Sequence, residues 1–104
     1  MEFEVVIASS WLSRARGMLF GKGDRMKPSQ VLALIPCKSV HTMFMRFPID
    51  VAFVDAQGVV VKARSAMPRG KVAFCRGAVC VFERHAAGEG WFEPGDRVAI
   101  VVRG

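Results

Sequence analysis

At 104 residues the chain has room for one domain and not two, so residues 1–104 are read as a single unit, large enough to fold without disulfide or metal support. A composition of 52% hydrophobic and 23% charged residues excludes a disordered chain, and no stretch approaches the ~20 apolar residues of a membrane span. The formal net charge of +6 implies attraction to anions without by itself implying nucleic-acid binding.

Glu2 to Ile7 alternates loosely and is rich in Val, Ile and Phe, which predicts a first strand. Ser9 and Ser10 are N-cap candidates, and Trp11, Leu12, Ala15, Met18 and Leu19 recur at helical spacing, so a short amphipathic N-terminal helix is expected. A loop follows from Gly21 to Gln30. Val31 to Ile35 is a continuous apolar run and reads as a buried strand, ended by Pro36 or confined by it to an edge. Cys37 to Phe47 follows no clean period. Ile49, Val51 and Phe53 alternate with Asp50, Ala52 and Val54; Asp55-Ala56-Gln57-Gly58 is a turn, and Val59 to Arg64 returns as the partner strand. Met67 to Gly77, broken by Pro68 and Gly70, reads as a loop or a broken helical turn. Ala78 to Arg84 is strand-like, a helical turn is expected near Glu89 to Phe92, and Arg97 to Val102 reads as a final strand buried on both faces. The sum is a mainly β domain of about six strands with one short helix, arranged as a compact barrel-like or rolled sheet.

Charge and sulfur are distributed unevenly. Between Asp55 and Glu83 stand Lys62, Arg64, Arg69, Lys71 and Arg76 with no acidic residue. Phe74 is the one aromatic among them, which speaks against a base-stacking platform. Cys37, Cys75 and Cys80 make an odd count without framework spacing, and the acidic opening Met-Glu-Phe-Glu does not resemble a signal peptide. The expected location is therefore a reduced, cytoplasmic one.

Several motifs carry a resemblance. They are Arg14-Ala15-Arg16-Gly17-Met18-Leu19, then Cys37-Lys38-Ser39-Val40-His41-Thr42-Met43-Phe44-Met45, then Pro48-Ile49-Asp50-Val51-Ala52-Phe53-Val54-Asp55. Ala78 to Glu83 and Gly95-Asp96-Arg97-Val98 complete the set. Together they resemble the uncharacterised family called domain of unknown function 192, in its Cys-x-Ser-Val-His-Thr variant, over nearly the whole chain. The resemblance implies a small β-rich fold and no particular reaction. The chain departs from many relatives at Gly21, where they carry arginine, and at Arg84-His85-Ala86-Ala87-Gly88, where they carry leucine and a Pro-Ala-Gly turn.

His41, Thr42, Asp50 and Glu83 are polar residues set in apolar runs. Buried carboxylates need pairing, hydrogen bonds or a proton. Structurally, His41 or a nearby arginine would pair Asp50, and Glu83 would accept from loop N–H groups. Functionally, the four would line a polar pocket, with Arg16 and Arg46 as anion contacts. Cys37 and His41, four apart, would share a face on a helical turn and could hold a metal or form a thiolate–imidazole pair, with Met43 and Met45 as soft ligands. Two prolines bracket the segment, however, and it reads as extended. No complete nucleophile, base and orienter is visible. The leading expectation is a non-catalytic binding or accessory module for a small molecule or protein, without cofactor or metal, without nucleic-acid or membrane partner, and monomeric or weakly oligomeric. The alternatives are a small enzyme using Cys37 and His41, or an anion- or nucleic-acid-binding face from Lys62 to Arg76.

Overall fold

The computed structural model describes residues 3–8, 30–42, 45, 47–88 and 90–99. They form seven strands: β1 (Glu4–Ala8), β2 (Gln30–Leu34), β3 (Ser39–His41), β4 (Ile49–Val54), β5 (Val60–Met67), β6 (Val72–Phe74) and β7 (Cys80–His85). Five of these make one sheet in the order β1-β2-β7-β4-β5, and β3 and β6 make a second. β1 and β2 run parallel, and every other pair is antiparallel.

The central strands are apolar on both sides because both faces of the large sheet are covered. All of β4 is buried. Alternation along the strands sorts their side chains onto two faces. Leu32, Leu34, Val51, Phe53 and Val81 pack on one face with Val40 and Ala73, the inward residues of β3 and β6. Ala33, Ala52, Val54, Cys80 and Phe82 pack on the other, under Trp91, Phe92 and Val98. Leu32 and Phe53 are fully buried, each contributing about 1.5–3 kcal/mol of transfer free energy.

The β4–β5 hairpin forms as the sequence predicts. Asp55 accepts from the N–H groups of Gln57 and Val59 through Oδ1 (2.9 and 3.0 Å). Gly58 has φ +78°, and a Cβ there would lie 2.9 Å from the Val98 carbonyl. Val98 N–H in turn donates to Gly58 O at 2.8 Å, so the turn needs glycine for both conformation and space.

Four expectations change. There are seven strands instead of six, because β3 and β6, three residues each, are too short to show a period and lie among prolines. Among the described residues the sheets do not close into a barrel: β1 and β5 end the large sheet, and β3–β6 pairs only with itself and covers one face. Gly90 to Phe92 is not helical. Arg97 is exposed and makes a single bridge to Val59 in place of the expected buried strand. The expected helix from Trp11 to Leu19 lies outside the described residues, as do residues 100–102 of the last expected strand.

Candidate functional site

The β4–β7 register aligns Asp50 with Arg84 and Val51 with Glu83. Aligned residues share a face and successive residues do not, so Asp50 and Glu83 project from opposite faces of the sheet. The candidate site is thus divided in two.

On the first face Asp50 is enclosed by partners from its own fold. Arg84 Nε donates to Oδ2 at 2.8 Å, forming a buried ion pair. Ala66 N–H donates to Oδ1 at 2.8 Å, and Ala87 N–H reaches Oδ2 at 3.5 Å. The contact to Ala66 has a geometric origin. Ile49 aligns with Met67 but Val51 with Arg64, so β5 carries an extra residue there. Such a bulge removes a backbone donor from the ladder, and the Asp50 carboxylate accepts it. Ala66 itself has φ +51°. The Arg84 guanidinium stacks 4.7 Å from the centroid of Trp91 and 5.3 Å from that of Phe3. Trp91 Nε1 donates to Val51 O at 3.0 Å.

On the second face Glu83 is flanked across the ladder by Leu32 and Val51. It is 4% exposed. Among the described residues no side chain or backbone N–H donates to its carboxyl. Among the described residues no fully enclosed side-chain oxygen or nitrogen lacks a hydrogen bond. Burial pushes its pKa from 4.5 up to about 7, because the charged form loses solvation that no donor among the described residues replaces.

The other candidates separate further. Thr42 is fully buried and holds the β5–β6 connection: Oγ1 donates to Pro68 O and accepts from Lys71 N–H (2.9 Å), while its backbone exchanges bonds with Gly70 and Lys71. Its polar atoms are thus engaged by this turn. His41 lies on the exposed outer face of β3. Cys37 precedes that strand, and its Sγ donates to Ser39 O at 3.1 Å. The chain bends at Lys38 and is a strand from Ser39 to His41, so Cys37 and His41 do not share a helical face. Cys80 is pushed up to about 12, first by burial and then by the neighbouring Cys37, which keeps it a thiol at neutral pH. Among the described residues no three His, Cys, Asp or Glu gather as a metal-binding group. Arg16, Met43 and Arg46 lie outside the described residues.

Comparison with known proteins bears on the whole chain. The profile of the family described as DUF192, Uncharacterized ACR, matches residues 1–100. The chain belongs to the DUF192 family. No curated protein sequence matches it at a significant level. Two crystal structures are similar in fold. One is a protein of unknown function from Novosphingobium aromaticivorans, with TM-score 0.74 and 17% identity over 91% of this chain and 73% of that one. The other is a candidate transcription regulator from Sinorhizobium meliloti, with TM-score 0.72 and 18% identity over 89% of this chain and 78% of that one. At these identities the likeness concerns the fold alone.

Within this DUF192 domain, Arg84 and Ala66 are the site residues that sequence reasoning passed over. Arg84 had a signal, as a lone cation in an apolar strand and a departure from many relatives. Ala66 had none, since a bulge is a property of pairing between strands. Among the described residues no helix is long and apolar enough to cross a membrane, which says nothing of crossing by strands.

Proposed function

We propose that this DUF192 domain is a non-catalytic binding module whose ligand presents a hydrogen-bond donor to the Glu83 carboxyl. One contrast carries the reading. Asp50 and Thr42 are saturated by partners that the fold supplies, whereas Glu83, 4% exposed, lies between apolar neighbours with no donor from the described residues. A polar group kept unsatisfied in an apolar setting is costly, and a ligand donor would remove that cost. In this reading Asp50 and Thr42 are framework, His41 points away from Glu83 on the outer side of β3, and Arg16 and Arg46 are further contacts suggested by the sequence. A cytoplasmic location belongs to the same reading and rests on the odd cysteine count without framework spacing. Catalysis by Cys37 and His41 has less support, because extended β3 separates them.

The test is a titration followed by amide NMR at pH 8, where Glu83 is ionised. The probes are agmatine, an alkyl guanidinium, and N-methylurea, a neutral donor. Saturable shifts at Leu32, Val51 and Glu83 are expected with at least one probe, and Glu83→Leu, which has no acceptor, is expected to abolish them while keeping a dispersed spectrum. Shifts that persist in Glu83→Leu, or none with either probe, would remove the proposal.

A further inference from the structure

The outer face of the β3–β6 sheet carries the two most exposed large apolar side chains among the described residues. Val40 and Ala73 point inward and are buried, so Ser39, His41, Val72 and Phe74 point outward. Val72 is 70% exposed and Phe74 55% exposed. Register places Ser39 beside Phe74 and His41 beside Val72, giving an apolar strip along β6 with a polar strip along β3.

Cations bracket the strip. Lys71 immediately precedes β6, and Arg76 follows it by two residues; both are exposed. Lys38, also exposed, precedes β3 at the Arg76 end, where its carbonyl accepts from Cys75 N–H at 2.9 Å. Lys62 reaches in from β5 and donates to Phe74 O at 2.9 Å. The sequence has no carboxylate between Asp55 and Glu83, and among the described residues no carboxylate pairs with these cations. Exposed apolar side chains rimmed by one sign of charge mark an interaction surface for the opposite sign.

We propose that the outer face of β3–β6 docks an extended, acidic protein segment, with alternate apolar side chains on Val72 and Phe74 and its carboxylates against Lys38, Lys71 and Arg76. Val72 and Phe74 are two residues apart on a strand, about 7 Å, the repeat of same-side residues in an extended partner. Such a partner satisfies both the apolar strip and the charge. Single-stranded nucleic acid would satisfy the charge, but stacking draws on successive aromatic faces, and β6 offers one aromatic and a valine. This surface is separate from Glu83 and stands or falls independently of it.

The experiment uses the whole domain and a fluorescent seven-residue peptide alternating aspartate with isoleucine, measured by anisotropy and by amide NMR. Support consists of saturable binding that shifts Ser39, Val72, Ala73 and Phe74, weakens with salt, and falls about tenfold or more in both Phe74→Ser and Arg76→Glu. A peptide with serine in place of isoleucine should bind about tenfold more weakly. Both variants replace exposed residues, and unchanged thermal melting verifies their fold. Glu83→Gln should bind the peptide normally. An oligothymidylate that binds more tightly than the peptide would overturn the proposal. So would affinity indifferent to Phe74→Ser, or self-association of the domain that Phe74→Ser abolishes.

Discussion

Removing the Asp50 carboxylate would strip the Arg84 guanidinium of the ion pair at its Nε and the Ala66 N–H of its acceptor at once. Breaking one half of a buried ion pair typically costs 3–5 kcal/mol, far more than the pair itself contributes. Asp50→Ala is therefore expected to lower unfolding free energy by about 3–5 kcal/mol in urea titration, and a loss below about 1 kcal/mol would mean that the pair is not structural. The sequence marks Asp50 and Glu83 as polar residues in apolar strands, and that much was legible. Their division between two faces was not, because it depends on the register of β4 against β7. A slip of one residue would align Asp50 with Glu83 and reverse the conclusion. Periodicity within each strand assigns alternate faces but not which face of one strand continues into which face of the next.

At the scale of elements, β4 and β5 show where local signals suffice. Alternation, a glycine turn and a return strand specify the hairpin. The irregularities between Ile49 and Val51 and between Phe53 and Val54 were not legible, because an extra residue in a pair is invisible in either strand alone. The bulge at Ala66 makes a prediction for this element. A non-glycine residue in the left-handed region costs roughly 1–2 kcal/mol, and glycine there costs about 0.5–1 kcal/mol in chain entropy. Ala66→Gly should consequently stabilise the domain by roughly 0.5–1 kcal/mol, readable as a small rise in melting temperature. A fall of similar size would show that the φ of +51° is not strained. β3 and β6 escaped sequence reading because three-residue strands beside prolines carry neither a period nor a propensity sum.

Glu83 affects the molecule as a whole through its proton. Its pKa rises from 4.5 to about 7 on folding, so the folded state holds a proton that the unfolded chain releases. Stability linked to this group is complete below pH 4.5, declines as pH rises, and is lost above about 7. The total is about 3 kcal/mol at the usual 1.36 kcal/mol per pKa unit. Urea titrations at pH 5 and pH 8 should show the wild type weaker at pH 8, and Glu83→Gln should reduce that difference and be the more stable protein at pH 8. Parallel pH profiles for the two proteins would contradict the assignment.

The place of β7 in the sheet has a consequence for the order in which the protein can assemble during synthesis. β1 pairs with β2, β4 with β5 and β3 with β6, and all six are complete once residue 74 has been made. None of those pairings joins β1–β2 to β4–β5. β7 alone does, lying between β2 and β4. The two halves of the large sheet therefore cannot be joined before residues 80–85 are available, and the same six residues that unite the sheet also bring Glu83 and Arg84 to its two faces.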